Sequence, residues 1–554
     1  MSDSTPNYVG KEAIEVASKD TTYAPRTPDE ESADAGVVHK TAPLSRELRG
    51  RHMQMIAIGG AIGAGLFVGS GSALSTGGPG SLLTSFWVLG YIIVGSMLLC
   101  TVQALGELAV LFPVNGAFFT YIVRFVDPSF GFAVGWDYAI GWLTVLPFEL
   151  IAAGITIRFW REDLNIGIWI TIFLFFLCVI QIWGVRGFGE VEFVLSIIKI
   201  CGCVGFIIFG TVVACGGTGD QGYLGTKYWH DPGAFANGFK GFCSVFVVSA
   251  FSFGGTELVG LAAAEALNPR KSIPQATKQV FWRIAFFYVV SLFIVGLCVP
   301  YTNKNLLNSS GANSKYSPFV IAIRLAKVQV LPSIFNVIIT ISVISVANSC
   351  TFGSTRTMQA LAERGMAPKL LAYVDSNGRP LWGILLQLAF GLLAFIGEAE
   401  NQSEVFTWLL ALSGLSFFFI WGSICLAHIR FRAAWKQQGH LKAELPYEAI
   451  FGVMGSWYGL ILCILCMTAT FYIALFPIGG SPDAEGFFTY YLAAPIIIAL
   501  YIGWKVYTKN WTVWISASDM DITSGRRSLV LDPDDMPEPK TWKNAPMRVL
   551  RALF

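Results

Sequence analysis

Two glycine-rich stretches hold the residue types best placed to do chemistry in this chain. One is Gly59-Gly60-Ala61-Ile62-Gly63-Ala64-Gly65, the other Ser252-Phe253-Gly254-Gly255-Thr256-Glu257. Each falls near the middle of an apolar run long enough to cross a bilayer. Irregular backbone there is costly unless it lines a cavity or is buried in protein. Amides freed at a half-helix N-terminus suit a carboxylate, and carbonyls freed at the facing C-terminus suit an ammonium. An α-amino acid carries both groups on one carbon. The predicted assignment puts the carboxylate on the amides of Gly63, Ala64 and Gly65. It puts the amine on carbonyls near Ile62 and from Ser252 through Phe253 to Gly254, with Gly255 and Thr256 completing the second break. Glycine matters because a Cβ would obstruct the ligand. The competing account is close helix packing, for which Gly59/Gly63 and Gly65/Gly69 have the right spacing. The two stretches stand five spans apart at matching positions, which favours the paired interrupted helices of an inverted-repeat transporter. A nucleotide-binding loop would need a βαβ pattern that neither has.

Ionisable residues inside spans are the second set of candidates. Lys199 lies well into the fifth predicted span, roughly 15 Å deep. Its ammonium could touch the opened first helix, stand in for a sodium ion, and either pass a proton or serve as a fixed cation. Glu257 follows the second break and either carries the coupled proton or anchors the loose helix end. Glu149, beside Pro147, suits helix packing or gating. Glu107, Asp137, Glu190, Glu192 and Glu265 fall nearer the span ends, as interface charges or gate partners. A proton moving down about 100 mV and one pH unit gains about 3.7 kcal/mol, enough for several hundred-fold accumulation of a neutral solute.

These residues must be held by membrane-spanning helices. The chain has 554 residues, 54% hydrophobic and 13% charged, against about 25% charged for a soluble domain. Uncharged runs such as Ile170 to Ile182 and Val204 to Cys215 recur at the roughly 20-residue length of a span. About twelve are predicted, near 53–76, 81–111, 131–157, 166–183, 190–214, 239–265, 281–300, 318–349, 381–398, 404–427, 453–477 and 487–507. The expected architecture is all-α, a five-plus-five inverted repeat with discontinuous first and sixth helices plus two further helices. The transporter domain is 51–507, with repeats at about 53–214 and 239–427 and extra helices at 453–507. Residues 1–50 are too polar to bury a core and read as a disordered tail; 508–554 form the C-terminal tail. Lys and Arg concentrate in alternate loops, at Arg270, Lys271 and Lys278, at Arg356, Arg364, Lys369 and Arg379, and at Arg430, Arg432, Lys436 and Lys442. The positive-inside rule then puts both termini in the cytoplasm. Asn308 falls in an outer loop as a glycosylation candidate. A net charge of +2 without basic clusters argues against nucleic acid. The cysteines lie mostly in apolar spans, and no cofactor or metal-ligand motif is found.

The stretches RHMQMIAIGGAIGAGLFVGSG from Arg51, FVDPSFGFAVGWDYAIGWLTVLPFEL from Phe125, FSFGGTELVGLAAAEALNPRKSIPQA from Phe251 and LAERGMAPK from Leu361 resemble the fungal amino-acid permeases of the amino acid–polyamine–organocation superfamily. The likeness is greatest to general amino-acid permeases and runs from about Leu48 to beyond Tyr507. It implies the five-plus-five fold, proton symport at the fungal plasma membrane, and substrate held between the first- and sixth-span breaks. It also implies that Lys199 occupies the former sodium position. Side-chain selectivity would involve Gly141, Phe253 and Ser413, with Ser345 of the eighth span. Gly141 is smaller than the polar residue expected there. Relatives are removed from the membrane by ubiquitination, for which Lys11, Lys19 and Lys40 would be the targets of ligase adaptors.

The expectation is a proton-coupled carrier of broad range tilted toward neutral L-amino acids. The alternatives are an amino-acid-sensing receptor, which would carry a longer N-terminal domain, or a narrower permease of the same fold. A polyamine or choline carrier would leave the first break without a carboxylate. No nucleophile–base set supports an enzyme.

Overall fold

The computed structural model describes residues 44–526, apart from 61, 84–89, 162, 219–220, 308–316 and 399–401. Lys11, Lys19, Lys40 and Asn308 lie outside the described residues.

The first span is interrupted. α1 (Gly50–Gly59) stops at Gly60, residues 62–63 are not helical, and the chain resumes as a π-helical turn at Gly65–Gly69 that leads into α2 (Ser70–Leu83). There follow α3 (Gly90–Leu111), a short α4 (Ala117–Phe125), α5 (Pro128–Ile157), α6 (Ile166–Ile182) and α7 (Gly184–Ala214). α5 starts sharply because Asp127 caps Phe130 N at 3.1 Å with Pro128 in the first turn. α6 is capped by Asn165, which accepts from Gly167 N at 2.6 Å.

The second half repeats the pattern. α8 (Gly238–Phe253) ends at a second interruption, and α9 (Leu258–Ala262) continues beyond it. Gly254 is extended and Gly255 has φ +92°, a left-handed conformation that glycine adopts without penalty. Then come α10 (Pro269–Trp282), a π-helical stretch Arg283–Val290, α11 (Ser291–Cys298), α12 (Lys304–Leu307), α13 (Pro318–Leu325) and α14 (Leu331–Glu363). α15 (Leu381–Gly391) runs on as a tighter helix to Glu398, and α16 (Gln402–Gln437), α17 (Gly452–Leu475), α18 (Ala484–Tyr491) and α19 (Ala493–Thr508) complete the order.

Among the described residues the β structure is one isolated bridge, Leu48 to Ala266. Among the described residues eight helical runs are long and apolar enough to cross a membrane, and three shorter apolar helices accompany them. α5 and the α8–α9 run are the most enclosed, with 83% and 94% of their apolar windows buried, against 33% for α7 and for α17. The interrupted helix and α5 therefore sit at the centre, while α7 and α17 present apolar side chains outward.

The structure departs from the predicted layout at several points. The run 318–349 is two helices, because the chain turns at Lys327 (φ +56°) and restarts at Leu331-Pro332. Arg324 and Lys327 are too few charges to interrupt the apolar stretch, which hides that turn from a hydropathy profile. α4 was not predicted; nine residues are too few to register as a span. Residues 512–526 are laid against the helix ends: Ile515 N donates to Val126 O, Gln438 donates to the carbonyls of Ala517 and Met520, and Met520 and Ile522 are buried. At the same end, Leu48 exchanges backbone hydrogen bonds with Glu265 and Leu267.

Candidate functional site

The two interruptions touch. A Cβ on Gly65 would stand 2.7 Å from Ser252 Cα, and one on Gly255 would stand 2.8 Å from Gly60 O. Only glycine permits backbones this close.

The backbone groups freed at the second break are largely taken by side chains. Tyr288 donates its hydroxyl to Ser252 O at 2.6 Å, and Tyr91 and Ser252 share a hydroxyl contact of 3.1 Å. Thr256 donates to Phe253 O at 2.6 Å and accepts from the buried guanidinium of Arg283. Phe253 itself packs at a tilt against Tyr288, with centroids 4.3 Å apart. Glu257 is held from three sides. Tyr138 and Gly255 N donate to its Oε1 at 3.1 and 3.2 Å, and Trp421 Nε1 donates to its Oε2 at 3.3 Å.

Between the breaks lies a small cavity of about 10 Å³, lined from the first break by Gly63 and Gly65 and from the second by Phe251 and Gly254. Its space is close to that of one water. Trp142, Val145 and Glu149 of α5, Val346 of α14 and Phe417 of α16 complete the wall. Glu149 is buried, and neither carboxylate oxygen has a hydrogen-bond partner. Its Oε1 is 3.7 Å from where a Cβ on Gly63 would stand. An ionised carboxylate buried without a donor is costly, so this group calls for a proton or a cation.

Behind the first break, Lys199 of α7 lies close enough to Glu149 to interact electrostatically. Its Nζ is 3.9 Å from Glu192 Oε1, and both side chains are fully buried. Glu192 accepts from Ser345 at 2.7 Å and from Ser196 at 3.4 Å.

The site thus draws together some of the expected residues and disperses others. Gly63, Gly65 and Gly254 line the cavity, while Ile62, Ala64, Ser252, Gly255 and Thr256 build the breaks around it. Ser345 holds Glu192 and does not line the cavity. Gly141 faces Ser416, and Ser413 bonds Leu409 O and contacts Thr144, so both lie on cavity-forming helices outside the wall itself. Glu107, expected as a gating or structural charge, is buried among donors: His428 at 3.0 Å, Arg432 at 2.9 Å and Ala449 N at 2.8 Å. Glu265 pairs with Arg356 at 2.8 Å. Glu192 is buried in α7, which begins at Gly184 rather than near 190, and lies within reach of Lys199. Arg283, Trp142, Val346 and Phe417 went unnoticed in the sequence. For Arg283 the signal was present, a lone cation in Phe281-Trp282-Arg283-Ile284-Ala285-Phe286.

Residues 52–517 match the amino acid permease family. The chain is 51% identical over 508 residues to a general amino-acid permease of Saccharomyces cerevisiae, covering 91% of this chain and 84% of that one. It is 52% identical over 503 residues to a general amino-acid permease of Candida albicans, covering 91% and 85%. Among solved structures, a manganese transporter of Eremococcus coleocola is 14% identical with a TM-score of 0.52, covering 83% of this chain and 93% of that one. At that identity the likeness concerns the fold alone. With a family match that spans both interrupted helices and nearly every helix around them, the chain belongs to the amino acid permeases, multi-pass membrane proteins that transport amino acids.

Proposed function

We propose that this chain is a proton-coupled symporter of the fungal plasma membrane, with both ends in the cytoplasm and a broad range that favours neutral L-amino acids. The observation that carries the proposal is Glu149: a buried carboxylate with two unpartnered oxygens, set in the wall between the two helix breaks. Of the two candidate carboxylates it is the one whose hydrogen bonding is open to change. Glu257 already has a donor on each oxygen and acts as the anchor of the broken helix.

The amides of Gly63 to Gly65 receive the substrate carboxylate, and Glu149 with the nearby carbonyls faces the ammonium. Apart from Glu149 the cavity wall is glycine, valine and aromatic, which suits neutral side chains. The cavity is too small for an amino acid, so the form described here is closed, and Trp142, Phe251 and Phe417 must part for entry. Lys199 and Glu192 form a buried pair beside the first break. A proton passed between Glu149 and this pair would link occupancy of the cavity to the packing of α7 against the broken helix. Lys11, Lys19 and Lys40 remain the proposed sites for ubiquitin, through ligase adaptors.

The test is uptake of a labelled amino-acid panel by permease-deficient yeast at acidic and neutral external pH, for wild type, Glu149→Gln and Lys199→Met. Acid should speed uptake by the wild type. Glu149→Gln should lose net uptake while still exchanging internal for external substrate. Net, pH-dependent uptake by Glu149→Gln at normal surface abundance would rule out this assignment.

A further inference from the structure

A second cavity lies apart from the substrate site, between the end of α16 and the start of α17. It measures about 490 Å³ and is lined by Arg432, Lys436, His440, Lys442 and Glu448 on one side and by Phe451 and Met454 on the other. Its apolar side continues a stripe along α17. Met454, Trp457, Tyr458, Ile461 and Leu465 are all exposed, spaced every three or four residues. On a membrane-spanning helix such a stripe faces acyl chains. The cavity therefore opens at the membrane boundary, on the face that carries residues 44–49 and 509–526, with cations above and apolar surface below.

Among the lining side chains Arg432, Lys436 and Lys442 face a single carboxylate, Glu448. Glu448 takes Lys442 and stands 3.9 Å from Arg432, and Glu444 takes His440 at 2.8 Å. Among the described residues Lys436 has no ion-pair partner, and its side chain is exposed. A cationic wall joined to an apolar floor at this depth matches a ligand with an anionic head and hydrocarbon tails. A zwitterionic choline headgroup has no net negative charge to offset Lys436, and a free phosphate would leave Phe451 and Met454 uncovered. We propose that this cavity binds the headgroup of an anionic phospholipid. Arg432 also reaches inward to Glu107, which joins α3 to α16 and accepts from Ala449 N ahead of α17. A bound headgroup would brace that junction.

The test uses the full chain purified in neutral detergent, titrated with phosphatidylserine or phosphatidylcholine and read by native mass spectrometry. Phosphatidylserine should give a saturable adduct and phosphatidylcholine should not. Each lysine removed should weaken retention about fivefold, so K436Q with K442Q should weaken it at least tenfold. K271Q with K369Q, exposed lysines elsewhere on that face, should leave it unchanged. The proposal is overturned if phosphatidylcholine is retained as firmly, if the first pair of substitutions has no effect, or if the control pair weakens retention as much. It is also overturned if soluble glycerophosphoserine competes as strongly as the lipid, which would mark a soluble-anion site. Should the double variant aggregate, K436Q alone, which breaks no ion pair, decides the same question.

Discussion

Adding one methyl group at Gly63 separates the two roles that glycine could have at the first break. A Cβ there would lie 2.4 Å from Val346 Cγ2. Ordinary carbon contacts begin at about 3.5 Å, so Val346 or the break must give by about 1 Å. Val346 is buried and its χ1 is stiff, so Gly63→Ala should cost about 1–3 kcal/mol by overpacking. That loss alone would not prove a role in binding. Val346→Ala removes the obstructing atom, and the next neighbours of the new methyl are then the Val346 Cβ at 3.3 Å and Glu149 Oε1 at 3.7 Å. The double variant should therefore regain the thermal midpoint and surface abundance of Val346→Ala. Its uptake should nevertheless stay at least tenfold below that single variant, about 1.4 kcal/mol, because the methyl stands on the amides proposed to meet the carboxylate. The assay is labelled leucine uptake in permease-deficient yeast, normalised to a fluorescent fusion at the cell surface. If the double variant transports as fast as Val346→Ala, Gly63 serves packing only and the carboxylate site must be moved.

Three further outcomes are expected. Ser345→Ala should lower stability by about 1–3 kcal/mol, since Glu192 loses its closest donor. The ranking of substrates in a competition panel should not change; an altered ranking would mean that Ser345 touches substrate. Glu257→Gln should reduce abundance by a similar energy, because an amide group would face the Trp421 donor. The uptake that survives should keep its response to external pH, and a flat pH profile would return the proton to Glu257. Arg356→Gln should cost about 3–5 kcal/mol by leaving Glu265 buried without its cation, measured as a fall in thermal midpoint in detergent. An unchanged midpoint would show that the pair bears no weight in the fold.

Much of the architecture was legible along the chain because its causes are local. Apolar runs of span length, a capped Asp127-Pro128 start and glycine clusters are properties of neighbouring residues, and helices, breaks and their paired placement follow from them. The failures have local causes too. Arg324 and Lys327 were too few charges to break the apolar run and reveal the turn at Lys327, and the span predicted from 190 began later than α7, which starts at Gly184.

The chemistry of the site depended on residues far apart in sequence. Glu149 and Glu257 look alike in a list of intramembrane carboxylates. What distinguishes them is that Glu257 receives donors from residues 119 and 164 positions away, whereas Glu149 receives none. The sequence by itself determined where helices must fail in the bilayer, since that depends on which side chains neighbour the backbone. Only the tertiary structure decided which buried charges are pinned and which are open to a proton, since hydrogen-bond satisfaction is set by whatever the fold brings into contact.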